Sequence, residues 1–370
     1  MKKIALSLMF LLSCFLVSAQ QFDYDVDFQY LLDNGSYGAS MEIFEPSTMI
    51  NAAVVTSYLG IRMDDEIEDI THRVMFGLDY RKDLGYKTSF DNATEFLLFY
   101  NFQKNFWYGA TFSAIIGAFP RSFSEGYYDN AFFSDHNKFN DRIFDGLFVK
   151  YRSDKVYAEI GADYISAKQE YARQRLQALT AACWNVYGPL SLGLSGRFYY
   201  FGESVQAPNT VLYAVANPYI KFSPETGLDK LDIIAGWIQT YQHDIAFGDV
   251  STVGGVNFSQ CVENWGLGID NNLFFGEDLM PFYSYSFNDD VYARNLYWSK
   301  LFYHTKIKDF SFYDRAEVYY SLNIASYLSI KIAFDFHFAN PTNSIGFFRG
   351  WQQVLSINFD LGAITSGLGR

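Results

Sequence analysis

Eight charged residues stand at alternate positions of segments whose intervening positions are mainly apolar. This pattern places the charges on one face of a β-strand and the apolar side chains on the other. Such charges can line an aqueous lumen, where they would set a weak preference for the sign of a passing solute. The predicted lumen-facing residues are Glu159, Asp163, Arg197, Arg315, Glu317, Lys331, Asp335 and Asp360.

No dense catalytic motif accompanies these charges, and the histidines are scattered along the sequence. His337 and Asn340 resemble the His and Asn of outer-membrane phospholipases, but no Ser follows the His. We interpret His337 as a polar residue near the end of a strand. The sequence therefore predicts a protein that is not an enzyme and needs no cofactor.

Two acidic patterns could bind a metal ion, and we favour a structural interpretation of both. Asp23, Asp25 and Asp27 alternate as ligands do in a helix-loop-helix calcium site. Phe28 stands where that loop needs Gly, and Asn34 where it needs Glu, so a strand is the better interpretation. The acidic run 64–69 either binds a divalent ion or forms a solvated hairpin loop, which we favour. No metal site is predicted.

Four segments alternate over the length of a transmembrane strand: 156–164, 190–200, 328–338 and 351–361. Soluble β-sandwiches alternate too, but their strands usually have about 5 to 6 residues. Lys331 and Asp335 lie near the middle of one segment, where facing lipid would cost each charge about 2 to 4 kcal/mol. These charges are therefore expected on a wet inner face.

The predicted fold class is all-β, a transmembrane antiparallel up-and-down β-barrel of about 16 strands, within a range of about 14 to 18. Residues 270–295 either add a strand or form a loop. The predicted strands are 22–32, 50–63, 70–82, 91–103, 106–118, 142–153, 155–166, 174–186, 189–203, 210–223, 229–242, 256–270, 295–306, 311–324, 327–339 and 350–362.

The connections are predicted to be long at one end of the barrel and short at the other, as in outer-membrane barrels. Ser153-Asp154 and Gly188-Pro189 are interpreted as tight turns, and 119–141 and 243–255 as long loops. With a periplasmic N-terminus, both long loops lie outside the cell. The aromatic-rich 119–141 is expected to be the largest external loop, folding over or into the mouth.

The N-terminus has the features of a cleaved signal peptide. Lys2 and Lys3 precede an apolar run that ends at Val17, followed by the small residues Ser18 and Ala19. A retained transmembrane helix is disfavoured because the run is shorter than the ~20 residues that span a bilayer. A lipoprotein box at Cys14 is a minority alternative. Residues 1–20 are therefore the predicted signal peptide, and 21–370 a single barrel domain.

Composition agrees with a barrel in an outer membrane. Aromatic residues make up 19% of the chain, and the mean hydropathy is −0.05, as expected when aromatic girdles surround a polar interior. The net charge of −13 argues against nucleic acid as a partner. The expected partners are the lipid bilayer, lipopolysaccharide and small solutes, and a homo-oligomer is left open. Cys183 and Cys261 are predicted to be unbonded because three strands separate them.

Short motifs resemble the uncharacterised, porin-like outer-membrane barrels of Bacteroidetes. They are Ser-Ala-Gln-Gln at 18–21, Pro281-Phe282-Tyr283, Leu296-Tyr297-Trp298 and Gly350-Trp351-Gln352-Gln353. The resemblance implies a barrel and no established activity. One departure is the C-terminal Arg370, where many such proteins end on an aromatic residue; Phe359 is the internal candidate for that role.

The leading functional hypothesis is a channel that allows passive or facilitated passage of small polar solutes, because a barrel of this size is wide enough to enclose water. The alternatives are a transporter of apolar ligands with residues 22–49 as an N-terminal plug, a structural or adhesive barrel, and an outer-membrane enzyme.

Overall fold

The computed structural model describes residues 21–37, 49–85, 92–167, 169, 172–204, 209–285, 296–304, 311–340 and 346–361. Within these residues, sixteen antiparallel strands form a single sheet. The first strand pairs with both the second and the last, so the sheet closes into a barrel. The predicted fold class is confirmed. The predicted signal peptide lies outside the described residues.

The first eight strands are β1 (Gln21–Tyr37), β2 (Met49–Asp65), β3 (Ile70–Asp83), β4 (Asn92–Asn105), β5 (Thr111–Pro120), β6 (Ile143–Arg152), β7 (Val156–Ser166) and β8 (Arg175–Tyr187). The next four are β9 (Leu190–Phe201), β10 (Val211–Phe222), β11 (Lys230–Asp244) and β12, whose parts Asp249–Ser251 and Gly254–Asn264 both pair with β11. The last four are β13 (Leu267–Gly276), β14 (Ser311–Ala325), β15 (Leu328–Ala339) and β16 (Phe348–Asp360).

Where the structure describes the connections, three short helical turns lie between the strands: Arg121–Phe123, helix α1 (Asp135–Asn140) and Leu301–Tyr303. In the described part of the chain, no helix has the length and apolar character needed to cross a membrane.

The two faces of the wall alternate along each strand. On β7, Ile160 is 57% exposed on the outer face, whereas its neighbour Glu159 is 3% exposed on the inner face. On β9, Phe198 is exposed and Arg197 is buried. A strand that separates lipid from an aqueous interior carries apolar side chains on its outer face and polar side chains on its inner face.

The two ends of the barrel differ in their connections. The even-to-odd connections are short, such as 153–155, 188–189 and 265–266, and we call this the short-turn end. The connection 121–142 and the one from 277 to 310 lie at the opposite, long-loop end. The predicted long loop at 243–255 is wrong, because β11 turns within residues 245–248 and pairs directly with Asp249–Ser251.

Two predicted strands are wrong, and their errors cancel in the strand count. Residues 256–270 contain the end of β12, a turn and the start of β13. In the described residues of the predicted strand 295–306, the chain forms an irregular stretch with a helical turn instead. Leu296, Tyr297 and Trp298 are all at most 9% exposed. A wall strand would leave alternate side chains facing lipid, so continuous burial identifies a segment inside the barrel.

The turn between β12 and β13 carries an unusual residue. Trp265 and Gly266 have φ values of 54° and 75°, as two-residue hairpin turns require, and Gly and Asn are the usual residues there. A Cβ on Gly266 would lie 2.2 Å from the Ser321 carbonyl oxygen. The aromatic Trp265 concealed this turn in the sequence.

The interior is less polar than expected, because a cluster of inward-facing aromatic residues lines the wall from β4 to β7. Phe119 and Phe144 stack with ring centroids 5.1 Å apart, and Phe148 packs against both. Gly161 on β7 permits this packing, since a Cβ there would lie 2.5 Å from the Phe144 ring. Burying each ring stabilises the fold by about 1.5 to 3 kcal/mol. Part of the aromatic content therefore forms an inner core.

Cys183 on β8 and Cys261 on β12 are free, as predicted. Strands β9, β10 and β11 separate them in the sheet.

Candidate functional site

Residues 121–141 fold into the lumen after the short strand β5; we call them the first inner segment. Its entry is held by the buried Arg121, which forms ion pairs of 2.7 Å with Asp163 and 2.9 Å with Asp141. Burial alone would lower the pKa of the Arg121 guanidinium, but the two carboxylates raise it above its ordinary value. The segment is therefore attached to the wall by a permanently charged group.

Glu159 on β7 accepts a cluster of hydrogen bonds from the first inner segment. The donors are the Ser124 hydroxyl at 2.7 Å, the Gly126 backbone N–H at 3.0 Å and the Tyr128 hydroxyl at 2.8 Å. Burial and the nearby carboxylate raise the pKa of Tyr128, so its hydroxyl remains a donor. These hydrogen bonds hold the start of the first inner segment against β7.

The first inner segment continues across the lumen to the opposite wall. Asn257 on β12 donates a hydrogen bond of 2.8 Å from its side-chain nitrogen to Asp129. Tyr127 packs edge-on against Tyr219 of β10, with ring centroids 5.0 Å apart. The segment therefore spans the lumen from β7 to the region of β10 to β12.

Residues 296–304, the second inner segment, join the first inner segment inside the barrel. The Trp298 ring stacks on Phe133 at 5.7 Å, and the Trp298 carbonyl accepts a hydrogen bond of 2.9 Å from the Ser134 N–H. Lys300 donates a hydrogen bond of 2.6 Å to Gln352 on β16. The two segments narrow the lumen together.

Around the inner segments, the described residues enclose several cavities, of which three bear on function. Cavity A has a volume of about 580 Å³ and lies between the first inner segment and β1, β2 and β16. Cavity B, of about 200 Å³, lies beside the second inner segment. Cavity C, of about 370 Å³, faces β10 to β15. Asp135 at the start of α1 lines all three cavities.

Asp135 is the carboxylate at the junction of these cavities. Its side chain is 71% exposed to the lumen and lies 3.0 Å from the Lys138 ammonium group. Enclosure by the barrel would raise its pKa, but Lys138 and Arg315 outweigh that effect and hold the pKa below its ordinary value. Asp135 is therefore ionised at neutral pH.

A network of four charged residues on β14 and β15 forms the wall opposite α1. Arg315 contacts Asp335 at 3.1 Å and Glu317 at 2.6 Å, and Lys331 contacts Glu317 at 2.5 Å. Arg315, Glu317 and Lys331 line both cavity B and cavity C.

Acidic and basic side chains line the three cavities in similar numbers, but not every carboxylate there forms an ion pair. Arg121 and Arg142 are paired with Asp163 and Asp79, which are not among the residues lining the cavities. Within the described residues, Asp27 in cavity A and Asp270 in cavity C make no side-chain hydrogen bond or ion pair. The linings of cavities A and C therefore include carboxylates that form no ion pair within the described residues.

The eight sequence-predicted residues fall into three groups. Glu159, Asp163 and Arg197 are buried beneath the inner segments. The network of Arg315, Glu317, Lys331 and Asp335 faces the cavities. Asp360 is the exposed last residue of β16, paired in register with Asp27 near the short-turn end.

The sequence interpretation missed Asp135 and Trp298 as site residues. Asp135 has no alternating apolar neighbours, so the strand pattern could not select it. Trp298 was assigned to a wall strand. The dense aromatics of 119–141 and of 296–303 were the available signal that these segments are buried.

No protein-family model matches the chain, and no curated protein matches its sequence. Among solved structures, a loop L8 deletion mutant of OmpT, an outer membrane protein of Vibrio cholerae, is similar with a TM-score of 0.54 and 10% identity, covering 92% of this chain and 99% of that chain. In-vitro folded OmpT of Vibrio cholerae has a TM-score of 0.52, 8% identity and the same coverage. Salmonella typhi OmpF in complex with daunomycin has a TM-score of 0.51 and 10% identity, covering 93% and 99%.

At this level of identity the likeness concerns the fold. It confirms the porin-like barrel implied by the sequence resemblance, whereas neither a family model nor a curated relative supports the Bacteroidetes family itself.

Proposed function

We propose that this outer-membrane β-barrel is a non-enzymatic channel for passive or facilitated passage of small polar solutes. The observation that carries the proposal is that three cavities with charged residues in their linings share Asp135 inside a closed barrel. A sixteen-stranded barrel leaves room for an aqueous path unless its interior is filled, and here the inner segments fill it in part.

The cavity linings favour polar over apolar solutes. Cavity A is bordered by Asp25, Asp27, Gln29 and Asn358, and cavity C by charged residues of β10 to β15. The alternative hypothesis is an apolar-ligand transporter in which residues 22–49 form a plug. The plug is wrong for residues 22–37, because residues 21–37 form β1 in the barrel wall.

The channel is proposed to prefer cations. In the described residues, Asp27 and Asp270 face the cavities without forming an ion pair, and the ionised Asp135 lines all three cavities. Opposite charges attract by about 1 kcal/mol at ~4 Å even in water. Ammonium-bearing and other small cationic solutes therefore enter more readily than anions.

Reconstitution of the purified barrel into planar bilayers tests the proposal. Stepwise conductance, with a reversal potential in a salt gradient that indicates cation preference, is the expected result. A variant that lacks residues 122–140 is measured in parallel. If neither protein conducts, the channel function is wrong; if both conduct without charge preference, only the proposed selectivity fails.

The membrane setting completes the proposal. Residues 1–20 would be removed on export, the short-turn end would face the periplasm, and the long-loop end would meet lipopolysaccharide. Self-association is left open.

A further inference from the structure

Arg197 on the inner face of β9 is a buried cation with unsatisfied donors. It is 2% exposed, and its Nε donates a hydrogen bond of 3.1 Å to the Gln177 side-chain oxygen. Within the described residues, the Nη1 and Nη2 groups have no hydrogen-bond acceptor. A buried guanidinium whose Nη groups lack acceptors is strongly disfavoured, because these groups have lost their hydration and gained no anionic partner.

The nearby carboxylate of Asp163 reaches Arg197 only through Gln177. Gln177 links Arg197 to Asp163 through a hydrogen bond of 2.8 Å. Asp163 itself is already engaged by Arg121 at 2.7 Å and by the Asp145 N–H at 3.0 Å. Arg197 therefore lacks a carboxylate of its own in the described part of the barrel.

Aromatic rings enclose the guanidinium instead. Its central carbon lies 4.3 Å from the Tyr199 ring centroid, 4.5 Å from that of Trp298 and 5.9 Å from that of Tyr213. Cation–π contacts replace only part of the lost hydration. They also act on the faces of the planar group, whereas acceptors bind its N–H edge.

Trp298 differs from the other two rings in its attachment. Tyr199 and Tyr213 belong to wall strands β9 and β10, whereas Trp298 belongs to the second inner segment. A shift of this segment would open Arg197 to the lumen without breaking the sheet.

We propose that Arg197 is a binding site for a small carboxylate, and that Trp298 is its displaceable lid. The N–H fork of arginine matches the two oxygens of a carboxylate. Binding would supply the missing acceptors, and the Trp298 ring would move away from the guanidinium toward the lumen. The ligand class follows from this fork geometry, since a spherical halide cannot accept both hydrogen bonds with the same alignment.

Acrylamide quenching of tryptophan fluorescence tests the site in the detergent-solubilised barrel. Sodium acetate is titrated against sodium chloride at constant ionic strength. The expected result is an acetate-dependent rise in quenching that saturates in the wild type and disappears in the W298F variant, which assigns the rise to Trp298.

Variants of the arginine test its role. R197Q is expected to abolish the rise, R197K to shift it to higher acetate, and R62Q, which alters a half-buried arginine near the short-turn end, to leave it unchanged. Should R197Q fail to fold, the shift in R197K carries the test. No acetate-dependent rise in the wild type, an equal rise with chloride, or a rise that persists in R197Q would overturn the proposal. The fluorescence readout does not depend on conductance. A barrel that fails to conduct would therefore contradict the channel function without contradicting this binding site.

Discussion

Charged residues inside this barrel have one of two roles. Those covered by an inner segment attach that segment to the wall, and the others line the cavities. Glu159 accepts several hydrogen bonds from the first inner segment and Asp163 pairs with its Arg121, so both act as attachment points of that segment. Arg315 and Lys331 face the cavities and belong to the lining. Alternation with apolar neighbours is the same in both cases, so a side chain's role depends on which segment covers it.

The contribution of Asp135 to selectivity is testable by charge removal. D135N is expected to lower the cation-to-anion permeability ratio by a few-fold, because one unit charge contributes about 1 kcal/mol at ~4 Å in water-like surroundings. Reversal potentials in a salt gradient measure this ratio. D145N is the matched control, since Asp145 alternates with the inward Phe144 and is exposed on the outer face. An equal effect of both variants would contradict the assignment.

The Arg121 ion pairs should dominate the stability of the inner segment. R121Q is expected to destabilise the fold by about 3 to 5 kcal/mol, the usual cost of removing one partner of a buried pair. Urea unfolding followed by tryptophan fluorescence measures the change. The R62Q variant, at a half-buried arginine paired with Asp64, should cost no more than about 1 kcal/mol, and a similar loss in both variants would disprove the anchoring role.

At the scale of elements, the inner segments explain why the lumen is narrower than the strand count suggests. The short strands β5 and β6 end early, and the chain between them turns inward over the aromatic cluster. Phe119 and Phe144 bury the base of the first inner segment, and Trp298 joins its tip to the second. These rings pack against one another as in a hydrophobic core. We therefore expect the first and second inner segments to move together.

Shortening the first inner segment should widen the pore. Replacing residues 122–140 with a short Gly-Ser linker is expected to raise single-channel conductance, because the deleted residues lie between β7 and β12 across the lumen. Planar-bilayer recordings give the step size. Replacing the turn 245–248 at the same end of the barrel is the control. Unchanged conductance and unchanged current noise in the deletion variant would rule out a constricting role.

At the scale of the whole molecule, closure of the sheet determines which residues are neighbours. Residues Asp27 to Tyr37 of β1 pair with β16, so the first and last strands are neighbours in the sheet. Strands β8 and β12 are four positions apart, or about 19 Å at ~4.8 Å per strand. That separation exceeds the ~7 Å limit on Cα distance for a disulfide.

Cys183 and Cys261 are therefore expected to react as two isolated thiols. Thiol titration of the denatured, unreduced mature protein should find two free groups. A titration with prior reduction serves as the control and should give the same number. Finding no free thiol before reduction and two after it would contradict the strand order.

The sequence by itself determined the wall of this protein, because a strand's two-residue period records directly which side chains face lipid and which face the interior. The alternation of 156–164 and of 328–338 was sufficient to place β7 and β15. The same rule failed for 295–306, since a segment inside the barrel is buried on all sides and leaves no alternation to recognise. It also failed at Trp265, where the backbone of a tight turn carries an aromatic residue.

Only the tertiary structure decided the contents of the lumen. Asp135, Trp298 and the uncovered donors of Arg197 acquire their neighbours from segments distant in the chain, through contacts such as those of Phe133 with Trp298 and Asp129 with Asn257. Such contacts depend on three-dimensional packing across a closed barrel, which has no period along the sequence. The physical reason is that a strand's environment repeats every second residue, whereas the environment of an inner segment is set residue by residue by whatever lies across the lumen.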